Sequence, residues 1–254
     1  MTCQNMLRYS LSILKMLSFL TRSLMTTPFF VFSAVSFPIS FCALSFMGTG
    51  NLFSERLWVL TCMAGVWAST ITATGIIGYQ RFQGTLEYLL LSPLPEWLVF
   101  YSVMLSATGI GVALGIPLSM LISIVFSVTP LFSIETILGF ILVVASCSSL
   151  APILAILPLH SRDSSAFEPI LLLFIWLLSG AITPLDELPS ILRAIAMASP
   201  LSSAVMVCFS PSISDAVAPA LLCVCLCLGY LFAGSLFLKH IIRNSRISGS
   251  LSLS

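Results

Sequence analysis

The sequence predicts an all-α polytopic membrane protein, and three observations carry that prediction. The chain is 58% hydrophobic and only 7% charged, whereas a soluble domain carries about 25% charged residues. Its mean hydropathy is +1.11. Its apolar residues are gathered into runs near the roughly twenty residues that cross a bilayer as a helix, and the charges fall between these runs or at their ends. Backbone polar groups in lipid must be satisfied within the segment, which a helix does. Single spans and short loops use up the chain, so residues 1–254 are expected to form one transmembrane domain without a separate soluble one.

Residues 1–24 come first, with a helix expected from Asn5 to Leu24. Arg8, Lys15 and Arg22 recur every seven residues, which places them on one narrow stripe. Leu, Ile, Met and Phe cover most of the rest, as suits a helix lying in the interface with its bases toward anionic headgroups. The bases run through the segment rather than preceding it, and no A-x-A-like cleavage site follows, which argues against a signal peptide.

Six spans are expected after it: Pro28 to Met47, Leu57 to Gly78, Trp97 to Val128, Ile134 to Leu159, Phe167 to Ile182 and Ala216 to Leu238. The second carries Ser69, Thr70, Thr72 and Thr74, with Thr70 and Thr74 on one face. Such hydroxyls either bond a helix backbone or line a path. The third carries Ala107, Gly111 and Gly115 at a spacing that lets membrane helices approach closely, and Pro117 is expected to kink it.

The polar segments between the spans are the informative ones. Residues 79–95 hold Arg81 and Glu87 and end in Pro93-Leu94-Pro95. A stretch of this polarity belongs outside the hydrocarbon, as a short helix on the membrane surface within reach of a soluble partner. In the loop from His160 to Ser165, Ser165 followed by Glu168 and Pro169 reads as a capping box for the fifth span. In 183–214, Pro184, Pro189 and Pro200 punctuate helices too short to cross a bilayer.

Orientation follows from the bases. With the N-terminus inside, Arg8, Lys15, Arg22, Arg81, Arg162, Lys239, Arg243 and Arg246 lie inside, and only Arg56 and Arg193 lie outside. The positive-inside rule therefore places both termini in the cytoplasm of a multi-pass protein of the cell (plasma or inner) membrane.

The missing chemistry narrows the function. There is no G-x-x-x-x-G-K-[ST] for ATP, no H-E-x-x-H and no G-x-S-x-G. Acidic residues, which mark proton paths inside membranes, all fall in loops or at span ends. None of the eight cysteines forms a CxxC pair; Cys223 and Cys227 share a helix face from which Cys225 points away, so no metal site is expected. No basic patch with interleaved aromatics suggests nucleic acid.

Gln83-Gly84-Thr85-Leu86-Glu87-Tyr88-Leu89-Leu90-Leu91-Ser92-Pro93-Leu94-Pro95 resembles the cytoplasmic signature of ABC-2 type transporter permeases. Upstream it departs, with Gln80, Phe82 and Gln83 where acids are common. A second stretch, Ser179-Gly180 through Pro184, Leu188-Pro189 and Ser199-Pro200, resembles the outer loop of the same family. The resemblance implies that residues 1–24 are an elbow helix and 79–95 the coupling helix, with Arg81, Gly84, Thr85, Glu87 and Arg162 at a nucleotide-binding subunit. It implies that 183–214 form half-inserted outer helices, and that Thr70, Thr74 and Ser179 line the path. ATP and Mg would sit on the partner ATPase, with no cofactor on this chain. A second permease, identical or homologous, would complete the assembly in the lipid membrane. The expected function is the permease subunit of an ATP-driven exporter of an amphipathic or lipid-like small molecule or peptide. The alternatives are a non-transporting anchor or immunity-type binding protein, and an intramembrane enzyme, for which no residue set is present.

Overall fold

The computed structural model describes residues 3–49, 57–82, 95–130, 132–154, 170 and 173–248, and all regular structure among them is helical. In chain order the elements are α1 (Cys3–Met25), α2 (Pro28–Thr49), α3 (Leu57–Phe82), α4 (Glu96–Val125), α5 (Ile134–Leu154), a 3-10 turn (Leu185–Glu187), α6 (Ser190–Met197), α7 (Pro200–Phe209) and α8 (Ile213–Ser248). Four of them contain stretches long and apolar enough to cross a bilayer: Pro28–Ser45, Leu98–Val125, Ile134–Leu154 and Ile213–His240. The pair α6 and α7, bent by 98° at its break, adds a fifth if counted as one span. The chain is thus a multi-pass membrane protein.

Several ends differ from the sequence expectation. The helix α3 runs past Gly78 through Tyr79, Gln80 and Arg81 to Phe82, so the polar stretch begins inside it. A lone glycine costs only about 1 kcal/mol in a helix, and no proline follows to stop it. Further along the chain, α4 stops at Val125 instead of Val128. Ser127 turns left-handed at φ 54, while the amides of Ser127 and Val128 close back on the carbonyls of Ile124 (3.1 Å) and Ser123 (2.9 Å). The last helix starts ahead of Ala216 because Ser212 caps it, its hydroxyl accepting from the Asp215 amide at 3.4 Å and donating to Asp215 Oδ2 at 2.6 Å, and it runs on past Leu238 to Ser248.

Of the fifth span, Phe167 to Ile182, residues 170 and 173–177 are described as helix, and a turn over 178–180 ends it before Ile182. Gly180 sits at φ +83, a backbone state open to glycine at no steric cost. The capping box at Ser165 and Glu168 and the end of the fourth span beyond Leu154 lie outside the described residues.

Contacts fix the helix directions. Thr72 donates to the Ser33 hydroxyl at 3.0 Å and Gly65 faces Pro38, so α2 and α3 run antiparallel. Gly111 faces Val66 and Ser69 while Gly115 faces Cys62, which sets α4 antiparallel to α3. Gly139 faces Cys208 and Ser146 donates to the Pro200 carbonyl at 3.1 Å, so α7 runs against α5. Cys223 meets Ser146 and Gly234 meets Pro152, so α8 runs parallel to α5. One end of the bundle therefore gathers the start of α4, the end of α5 and the stretch of α8 leading to Lys239.

α1 lies against α4 through Leu20 and Leu24, which share a buried group with Phe100, Val103, Met104 and Ala107. Lys15 and Arg22 stay exposed on it. The main core joins α3, α5, α7 and α8 around Trp67, Trp176, Val143, Leu201 and Cys223. Large apolar side chains remain exposed on the outside, among them Phe32 and Leu44 on α2, Ile124 on α4, Ile141 on α5, and Leu221 and Phe232 on α8. A soluble protein would bury such residues, whereas a bilayer covers them.

Candidate functional site

Arg81 is in the last turn of α3. Gly84, Thr85, Glu87 and Arg162, the other proposed contacts of a soluble partner, lie outside the described residues. Thr70 is fully buried in α3 and donates to its own helix at the Val66 carbonyl, 2.8 Å away. Thr74 is one turn further along the same helix.

Ser179 is also fully buried. It closes the turn after the 173–177 stretch: its hydroxyl donates to the Trp176 carbonyl at 2.6 Å and accepts from the Ala181 amide at 3.2 Å. Neither Thr70 nor Ser179 lines an open cleft of the single chain. Both hydroxyls are satisfied locally, as short polar side chains in apolar helices usually are.

The small residues of α4 divide between two neighbours. Ala107 joins the group that holds α1, whereas Gly111 and Gly115 face α3. A Cβ at Gly111 would stand 2.8 Å from both Ser69 Oγ and Val66 Cα, and one at Gly115 3.3 Å from the Cys62 carbonyl. Among the described glycines the tightest surroundings are at one that spacing did not single out. At Gly139 an added Cβ would fall on Cys208, 2.5 Å from its amide nitrogen and nearer still to its sulfur.

Two further features had no clear sequence signal. Trp176 stacks on Trp67 with centroids 5.9 Å apart and 19° between planes, and meets Phe37 and Phe41 edge-on at 6.2 and 6.0 Å. This cluster ties the 173–177 stretch to α2 and α3. The Trp67 indole nitrogen is buried there, and like the Ser69 hydroxyl it has no hydrogen-bond partner among the described residues. The second feature is a hub at Ser146. Besides the Pro200 carbonyl it contacts the Leu142 carbonyl at 2.7 Å, Cys223 Sγ at 3.3 Å and Cys227 Sγ at 3.7 Å. Cys223 itself donates to the Pro200 carbonyl at 3.4 Å. The two cysteines expected on one face of α8 do point inward together, with Cys225 exposed. They act as weak donors at a helix junction, and no group of three metal-ligating side chains occurs among the described residues.

Around that hub the connection that carries α6 and α7 folds back into the bundle. Ser146 stands near the middle of α5, and Pro200, the first residue of α7, meets it there. Ser202 donates to the Leu178 carbonyl at 3.2 Å, which pins the same point to the turn after 173–177. From this level α7 is buried along most of its length. The preceding α6 is more open, with Ile191 and Ile195 exposed, and is held at its base by an Arg193–Asp186 ion pair of 2.8 Å.

The family model described as ABC-2 type transporter matches residues 40–210 of the chain. The match begins within α2, ends just past α7 and includes the polar connection between α3 and α4. No curated protein matches the chain.

Proposed function

The chain belongs to the ABC-2 type transporter family, and from that premise we propose that it is the permease subunit of an ATP-driven exporter that moves an amphipathic or lipid-like small molecule or peptide outward. Permease domains of this family carry no ATPase site of their own and work with an ABC ATPase subunit. The match over 40–210, running through both the Gln83–Pro95 stretch and the bent pair α6–α7, is the observation that carries the reading.

In this proposal residues 79–95 form the coupling element. Glu87 and Arg81 supply ion pairs to the ATPase, Gly84 permits close backbone approach, and Thr85 and Arg162 also contact the ATPase. A second permease, identical or homologous, completes the assembly, with both termini in the cytoplasm. Binding energy from ATP closes the two ATPases and shifts the permeases between two conformations. The bent pair forms the half-inserted outer element. The 98° bend and the meeting of Pro200 with Ser146 at the mid-height of α5 support that part.

The test is to purify the wild type, Gly84→Trp and Glu87→Lys, each with its ATPase, and to measure complex yield and transport per ATP hydrolysed. Both variants are expected to insert normally and to lose association or coupling. Wild-type values for both would remove 79–95 from the mechanism. Substrate-stimulated ATP hydrolysis distinguishes a transporter from a passive anchor.

A further inference from the structure

We propose that the cleft between α1, α4, α5 and α8 binds one anionic phospholipid, with an acyl chain along its floor and the phosphate at Lys239. The cleft has two parts that share Tyr101 and Leu231. One, of about 430 Å³, is completed by Phe232, Ser235 and Lys239. The other, of about 290 Å³, continues beneath α1 past Leu17, Leu98 and Leu105. Each is near or within the range of roughly 300–1,000 Å³ typical of small-molecule sites.

The lining chemistry selects the ligand. Every hydroxyl in the cleft already donates to a backbone carbonyl: Tyr101 to Leu231 at 3.2 Å, Ser102 to Leu98 at 2.8 Å, Ser148 to Val144 at 2.7 Å and Ser235 to Phe232 at 2.8 Å. The floor therefore offers methyl and methylene surface with its polar atoms spent, which suits a hydrocarbon chain and not a polar solute. The only charge among the lining residues is Lys239. Lys239 is exposed, one turn beyond Ser235, and an ammonium donates to phosphate oxygens.

The position in the bundle suits a lipid as well. Tyr101 lies little more than a turn into α4, and Lys239 closes the apolar part of α8, so the cleft opens at an end of the hydrocarbon region. Arg243 and Arg246 follow Lys239 in the sequence of α8 at four and seven residues. On the orientation proposed above this end faces the cytoplasm, whose leaflet carries the anionic lipids. The site itself does not depend on what is exported.

Native mass spectrometry of the full-length chain with its ATPase, released from vesicles of phosphatidylglycerol and phosphatidylcholine in equal amounts, tests the proposal. The wild type is expected to retain phosphatidylglycerol over phosphatidylcholine by roughly fivefold, the preference that one lysine near an anionic surface supplies. Lys239→Gln, an exposed position, should remove the preference, and Ser235→Trp, which fills the cleft, should remove the bound lipid of either kind. Arg22→Gln, an exposed base on α1 that does not line the cleft, should change neither. Equal retention in the wild type, a preference that survives Lys239→Gln, or an equal loss in Arg22→Gln would overturn the site. Export activity plays no part in the readout, so failure here leaves the transporter reading untouched.

Discussion

Alanine substitution of the glycines tests how the bundle is held together, because the structure ranks them by what a single methyl would meet. At Gly139 the methyl would lie 2.5 Å from the Cys208 amide and 2.7 Å from its Cα. Carbon contacts are comfortable at about 3.5–4.0 Å, so α5 and α7 would have to part by about 1 Å. Backbone on the far side cannot yield by a rotamer change. Parting the helices also stretches the Ser146–Pro200 hydrogen bond, already 3.1 Å long. Overpacking of this kind costs about 1–3 kcal/mol, against up to about 1 kcal/mol gained from better helix propensity. Gly139→Ala should therefore lose about 2 kcal/mol. Gly111→Ala, which meets backbone and side chain at 2.8 Å, should lose about 1–2 kcal/mol by the same reasoning. Gly115→Ala, at 3.3 Å, should change stability by less than about 0.5 kcal/mol. Gly109 and Gly229 have nothing within 4 Å, so alanine there should be neutral or stabilising by up to about 1 kcal/mol. Equilibrium unfolding in mixed micelles, titrated with sodium dodecyl sulfate, measures the series. Equal stabilities for Gly139→Ala and Gly109→Ala would refute the close packing of α5 on α7.

Other outcomes follow from the same packing. Ser146→Ala removes the donor that joins α5 to Pro200 and should destabilise the fold by about 0.6–2 kcal/mol in the same titration, the range for hydrogen bonds between membrane helices; no loss would mean that the hub is not a link. Thr70→Cys in a cysteine-free background should resist maleimide in the resting complex and react at least several-fold faster during ATP turnover, while protection throughout would remove Thr70 from the path. Single cysteines near Asp186 should be labelled from outside intact cells and those near Arg162 only after permeabilisation; the opposite pattern would invert the orientation.

Much of the fold was legible because membrane helices announce themselves by apolar length. The starts of α2, α3, α4 and α5 agree closely with expectation, since each follows a charge, a proline or a polar break. Helix ends were harder. The stop at Val125 depends on Ser127 adopting φ 54, which composition does not signal, and the early start of α8 comes from a cap at Ser212 whose partner Asp215 lies within the helix. The 98° bend was foreshadowed by Pro189 and Pro200. The burial of α7 was not: Leu201, Ala204, Val205 and Cys208 are apolar like every other helix here, and no polar face marks which side packs inward. Gly139 was missed for a related reason. It stands alone rather than in a four-residue series, and its importance comes from a partner, Cys208, far away in sequence. Nor could the sequence place Tyr101, Leu231 and Lys239 in one cleft, since their proximity requires α4 and α8 to be antiparallel neighbours.

The two kinds of contact in the bundle constrain how it can move. Where α3 meets α4 and α5 meets α7, glycine brings backbone against the partner helix, as at Gly111 and Gly139. Such surfaces interlock, and sliding them by a fraction of a turn drives a Cα into a neighbour. Between the α3–α4 pair and the α5–α7–α8 group the contacts are side-chain in character: the Trp67–Trp176 stack at 5.9 Å, Tyr101 to Leu231 at 3.2 Å, and Thr70 beside Cys147. Aromatic stacks and single hydrogen bonds can re-form after a small rotation, whereas interlocked backbones cannot without loss of packing. A conformational change that keeps each helix intact is therefore expected to divide the bundle along this seam. Thr70 and Trp67, whose indole nitrogen has no partner among the described residues, stand on α3 beside that division.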